Sequence, residues 1–158
     1  MFRWLWVAVA VLLLDQATKL IALAKLALHE SVALAPFLNL TLVYNKGAAF
    51  GFLSSASGWQ NLFFIGVALV ACAVILYLVR QLKDSDRLLA VALMLVLGGA
   101  IGNLLDRLLY GHVVDFIDVY YRGWHWPAFN VADSAITIGA VLIALDAFGI
   151  GKRSPGTG

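Results

Sequence analysis

The sequence predicts an α-helical integral membrane protein with four transmembrane helices and a small extracytoplasmic β-cradle or hairpin. Three observations carry this. The chain is 63% hydrophobic and only 13% charged, with a mean hydropathy of +0.92, which excludes an ordinary soluble domain. Four apolar stretches, at 4–28, 59–79, 88–105 and 134–150, approach or exceed the ~20 residues that cross a bilayer. Between the first two, residues 37–45 alternate apolar Leu38, Leu40, Leu42 and Tyr44 with polar Asn39, Thr41 and Asn45, the period of a half-buried strand.

Taken in order, the first span holds Asp15 and Lys19, spaced i,i+4 with the acid first, so that pairing lowers the cost of both in lipid. Arg3, the apolar run 4–14 and the triplet Ala22-Leu23-Ala24 also resemble a cleavable leader, but Asp15, Gln16 and Lys19 interrupt that pattern and a retained span fits better. After the strand, Asn45-Lys46-Gly47 is turn chemistry, and 48–53 is expected to return as its partner strand. The second span contains Cys72, the single cysteine, which excludes an internal disulfide and suits a small apolar position. The third and fourth spans are short and require tilt, thinning or shielding. Span three ends with Gly98 and Gly102, a small-xxx-small pair that permits close helix approach. Gly99, Asn103 and Arg107 form a polar stripe along one face. Residues 113–121 are β-branched and aromatic, as in a further strand, and Pro127 breaks the chain before span four. Asn130 and Asp133 fall at its start, where either can cap the helix and an acid suits the dipole. The segment 149–158 has the composition of a disordered tail. The whole chain, 1–158, is expected to form one membrane-embedded domain.

Charge placement orients it. Arg3, Arg80, Lys83, Arg87, Lys152 and Arg153 fall on one side, against Lys46, Arg107 and Arg122 in the longer opposite loops. The positive-inside rule puts both termini in the cytoplasm and the loops 29–58 and 106–132 outside. Trp4, Trp6, Trp59, Trp124 and Trp126 lie near span ends, as interfacial aromatics do. The net charge of +2 is too small and dispersed for a nucleic-acid surface.

Carboxylates near membrane depth are costly and usually serve function. Asp115 interrupts the apolar run Val113, Val114, Phe116 and Ile117, with Asp118 a rival three residues on. Asp146 is close to the cytoplasmic end of span four and is given no catalytic role. His29, His112 and His125 lack metal-ligand spacing, leaving only a remote zinc reading through His112, His125 and a carboxylate. No H-E-x-x-H, G-x-S-x-G or phosphate-cradling loop is present, and no metal or cofactor is expected. Two carboxyls at the outer bilayer edge remain, a set that can activate water and protonate an oxyanion. A proton-coupled carrier and a binding scaffold are the rival classes.

Five motifs in order resemble those of the lipoprotein signal peptidase (signal peptidase II) family. They are Asp15-Gln16-Ala17-Thr18-Lys19, Tyr44-Asn45-Lys46-Gly47-Ala48-Ala49-Phe50, Gly99 through Gly102-Asn103-Leu104-Leu105-Asp106-Arg107, Val113-Val114-Asp115-Phe116, and Phe129-Asn130-Val131-Ala132-Asp133-Ser134. The resemblance implies that Asp115 and Asp133, in preference to Asp118, are a catalytic aspartate pair. It also implies that Asn45, Asn103, Arg107 and Asn130 line the site, that Asp15 supports it, and that a mobile outer segment covers it. The implied protein is an aspartic endopeptidase of the bacterial inner (plasma) membrane, the target of globomycin, and a monomer is expected. Its implied substrate is a prolipoprotein, cut just before a diacylglyceryl-modified cysteine. Gly98, Gly99 and Gly102 are expected to let the substrate's signal helix dock closely.

Overall fold

The computed structural model describes residues 2–47 and 59–149. A short 3-10 turn at Phe2–Trp4 leads into α1 (Leu5–Lys25), followed by β1 (Ser31–Ala35), β2 (Leu38–Asn45), α2 (Trp59–Gln81), α3 (Arg87–Tyr110), β3 (Val113–Tyr121), β4 (Trp124–His125) and α4 (Val131–Ala147). Helices α1, α2 and α3 are each long and apolar enough to cross a membrane; α4 has 17 residues. The expected return strand at 48–53 and the tail from 150 onward lie outside the described residues.

Helix α3 is the axis, with α1, α2 and α4 all packed on it. Its small residues explain the closeness. A Cβ on Gly98 would lie 2.6 Å from the Ala8 carbonyl oxygen of α1, and one on Gly102 would lie 2.5 Å from Asp15 Oδ2. A Cβ on Gly99 would strike the Ala132 carbonyl of α4. The expectation that these glycines receive a substrate helix is therefore corrected. The protein's own α1 and α4 occupy those approaches. Away from the sheet, Val7 and Ala8 of α1 meet Ile75 and Val79 of α2 and Leu93, Met94 and Leu97 of α3 in a dry core.

Helix α3 runs past the expected 105 because nothing breaks it before Gly111, whose φ of +75° ends it in the left-handed conformation. Asp106 and Arg107 are thereby helical. The chain then enters β3, which has the expected bounds. The sheet is antiparallel in the order β1-β2-β3-β4. Strand β1 was not expected; its five residues are all exposed, so its short alternation of Val32 and Leu34 with small residues carried little signal. Arg122 and Gly123, at φ +48° and +82°, close the β3–β4 hairpin in the doubly left-handed geometry that two-residue turns favour. Strand β2 pairs with β3 through a bulge between Leu40 and Val43, with Val43 opposite Asp115.

One buried ion cluster joins these parts. Lys19 Nζ is 2.8 Å from Asp15 Oδ2 and 2.8 Å from Asp106 Oδ2, and donates to Asn103 Oδ1 at 3.0 Å. All three ammonium protons have acceptors. Each aspartate also holds a backbone donor. Asp15 Oδ1 accepts the Ala132 N–H at 2.9 Å, and Asp106 Oδ2 accepts that of Val114 at 3.0 Å. Gln16 Nε2 bridges Asp106 at 3.0 Å and Asp15 at 3.2 Å. Lys19→Met would leave two facing carboxylates without their cation. We predict a destabilisation of roughly 3–5 kcal/mol, read as a lowered thermal midpoint in detergent; an unchanged midpoint would show that the cluster does not hold the helices together.

Candidate active site

The site forms where β3 and the start of α4 converge on the C-terminal end of α3. Asp115, 1% exposed, projects from β3. Asp133 is the third residue of α4, which starts earlier than expected because Asn130 caps it. The Asn130 side chain accepts the Asp133 N–H at 2.9 Å, and Asp133 Oδ2 accepts the Asn130 N–H at 3.3 Å, a reciprocal capping box.

The same Asn130, fully buried, links the two acids. Its Nδ2 donates to Asp115 Oδ1 at 2.8 Å and lies 3.2 Å from both the Val114 carbonyl and Asn103 Oδ1. Asn103 Nδ2 in turn donates to Asp133 Oδ1 at 2.8 Å. Two amides thus hold one carboxyl each and contact one another. Asn45 completes the set from β2. Its Oδ1 accepts the Gly47 N–H at 2.8 Å, an Asx turn made possible by Gly47 at φ +92°, and its side chain stands near Asp115 and favours the ionised carboxyl.

This environment shifts the titration of Asp115. Burial, followed by the neighbouring Asp133 charge, pushes its carboxyl up to about 7, against the opposing pull of Asn45, Lys19 and Asn130. A buried acid beside a second acid resists ionisation for those two reasons. Asp133 sits in the first turn of α4, where the helix dipole favours negative charge.

Arg107, one turn above Asn103, places its guanidinium 4.5 Å from the centre of the Phe64 ring of α2. Its charge acts on Asp115, Asp133 and Asp106, and its Nη1 is buried with no acceptor among the described residues. The stripe expected from Gly99, Asn103 and Arg107 is thus real, and it faces α4 and the acids. A cleft of about 570 Å³ opens beside them, lined by Asn45, Trp126, Phe129, Asp133, Thr137 and Ile138.

Asp118 is elsewhere. It bonds His125 Nδ1 at 2.8 Å and Asn39 Nδ2 at 2.9 Å. Burial pushes its carboxyl up, but those two hydrogen bonds outweigh it and hold the group below its ordinary value. His112 stacks on Tyr44 with ring centres 4.2 Å apart, and no three metal-ligating side chains cluster among the described residues. Sequence reasoning gave Asp106 no role and treated Lys19 only as the partner of Asp15. The available signal was the spacing of Gly98, Gly102 and Asp106, a second stripe that faces Ala8, Asp15 and Lys19 of α1.

Residues 7–149 match the family model described as signal peptidase (SPase) II. A lipoprotein signal peptidase of Burkholderia mallei (strain SAVP1) is 52% identical over 143 residues, covering 90% of this chain and 86% of that protein. One from Janthinobacterium sp. (strain Marseille) is 54% identical over 146 residues, covering 92% and 88%. A solved structure described as a bacterial membrane enzyme determined by the in meso method at 1.9 Å resolution superposes with a TM-score of 0.80. It is 36% identical and the match covers 98% of this chain and 96% of that one. The match spans all four helices and the sheet, and the chain belongs to the signal peptidase II family of membrane proteases that process lipoproteins.

Proposed function

We propose that this protein is an aspartic endopeptidase that removes the signal peptide from diacylglyceryl-modified prolipoproteins, with Asp115 and Asp133 as its catalytic pair. The observation that carries the reading is the linkage of the two carboxyls through Asn130 and Asn103, with the Asp115 carboxyl pushed up to about 7 beside an Asp133 held at a helix N-terminus.

The chemistry follows from that asymmetry. Asp133 carboxylate takes a proton from water as its oxygen attacks the carbonyl carbon preceding the lipidated cysteine. Asp115 gives its proton to the carbonyl oxygen, forming a neutral diol. Asp133 then passes its proton to the cysteine nitrogen as the C–N bond breaks, and Asp115 recovers one from a diol hydroxyl. Proton count and charge are restored after each turnover. Arg107, with an unmet buried donor, is suited to the substrate backbone, and Asn45 to orienting Asp115. Gly99 supports the site by letting α4 approach α3, and Asp15 supports it by holding the Ala132 backbone beside Asp133.

In this reading all four helices cross the inner membrane, α4 with local thinning, as one domain that works as a monomer. Both termini are cytoplasmic, the aspartates lie at the outer surface, and a mobile outer segment admits the substrate. A lipid-anchored substrate is confined to the membrane, so its scissile bond arrives at headgroup depth. The cleft that runs from Asn45 to Thr137 and Ile138 leads from that depth toward the lipid-facing side of α4.

Asp115→Asn and Asp133→Asn should each lower cleavage of a diacylglyceryl-modified precursor by at least about 10²-fold, measured as signal-peptide release in liposomes with folding intact; wild-type release by either variant would refute the pair. Activity depends on protonated Asp115, so kcat/KM should fall as pH rises through about 7, and a profile still flat at the alkaline end would contradict that assignment. Stability has the same sign. A carboxyl whose folded pKa lies above its unfolded value loses its stabilising contribution as pH rises toward the folded pKa of about 7. Asp115→Asn, which keeps an acceptor for Asn130 but cannot ionise, should therefore raise the thermal midpoint at alkaline pH and have a smaller effect in mild acid. A midpoint lowered at alkaline pH would mean that ionised Asp115 stabilises the fold.

A further inference from the structure

At the end of the bundle opposite the aspartates, Arg3, Trp4, Trp6 and Arg87 line a cavity of about 310 Å³ where the start of α1 meets the start of α3. Its walls are short of acceptors. Trp4 Nε1 is buried with no acceptor among the described residues, and buried indole N–H groups are normally satisfied. Arg3 stands 5.8 Å from the centre of the Trp4 ring. Its carboxylate neighbour, Asp84, is 3.7 Å away, with the two side chains 53% and 87% exposed, a pairing of little strength. Asp86, next to Arg87, is turned into its own loop, accepting from Lys83 N at 2.9 Å and Ser85 Oγ at 3.2 Å. Neither α1 nor α3 has a side-chain cap at its N-terminus, so both direct backbone donors and positive dipole ends toward this end of the bundle.

We propose that this pocket binds the phosphate of an anionic glycerophospholipid, with Arg3 and Arg87 as donors beside the Trp4 and Trp6 rings. Charge complementarity selects an anion, since two arginines line the cavity. Position selects a lipid over a soluble anion. Helices α1 and α3 are both long and apolar enough to cross a membrane, so their first turns lie at headgroup level. Leu5 and Trp6 beside the pocket are exposed, giving an acyl chain an apolar path. Basic pockets between helices at this depth suit anionic headgroups. The proposal rests on membrane insertion alone and is independent of the aspartate pair.

The test is native mass spectrometry of the full chain in detergent, titrated separately with phosphatidylglycerol and phosphatidylcholine. Wild type should retain phosphatidylglycerol preferentially, and the double variant Arg3→Gln/Arg87→Gln should weaken that retention by roughly tenfold or more. Trp4→Phe, which keeps a ring against the pocket, and Arg122→Gln at the other end should leave it unchanged. Prolipoprotein cleavage in a fixed detergent should remain at the wild-type level in all three, marking them as folded. Equal retention of the two lipids, or equal loss in Arg122→Gln, would overturn the site. Displacement of the lipid by millimolar inorganic phosphate would overturn the lipid assignment in favour of a free-anion site.

Discussion

The buried ammonium of Lys19 is the interaction on which the rest depends. It pairs with both Asp15 and Asp106 and holds Asn103, and those three side chains reach the backbone beside both proposed catalytic acids and the side chain of Asp133. Asp106 grips the Val114 N–H next to Asp115, Asp15 grips the Ala132 N–H next to Asp133, and Asn103 donates to Asp133 itself. A single cation at the meeting point of α1 and α3 thereby sets the position of a strand and of a helix N-terminus. Removing one member of such a cluster costs more than its net contribution to stability, because the remaining charges are left buried and unpaired. That asymmetry makes it effective at fixing geometry.

The glycines of α3 and this cluster belong to one design. Gly98, Gly102 and Asp106 form the seam toward α1, and Gly99, Asn103 and Arg107 form the seam toward α4 and the site. Each seam starts with small residues that bring backbones together and ends with polar residues that use the closeness. The apolar core of Val7, Ile75, Val79, Leu93 and Met94 supports the opposite half of the bundle, leaving the aspartate half free to carry polar groups.

Much of this was legible in the sequence for physical reasons. Apolar length marked the helices, and β-branched and aromatic density marked β3 to the residue. The i,i+4 rule revealed the Asp15–Lys19 pair and the Asn103–Arg107 stripe. What was missed depends on long-range contact. Strand β1 lacks a buried face, so periodicity had little to register. Asp106 acts through residues on α1 and β3, which no local spacing announces. The choice of Asp115 over Asp118 came from the family resemblance, and the structure adds a physical distinction: one carboxyl is buried beside another acid, while the other is held by His125 and Asn39. The glycines were read correctly as sites of close approach, but their partners are the chain's own helices.

We propose that Asp115 carries a proton in mildly acidic buffer and releases it as pH rises through about 7. Infrared difference titration of the membrane-reconstituted protein reads this directly through the carbonyl stretch of a protonated carboxyl. That band should disappear as pH rises through about 7, persist in Lys83→Gln and be absent in Asp115→Asn. A band that survives in Asp115→Asn, or none at all in mildly acidic buffer, would contradict it.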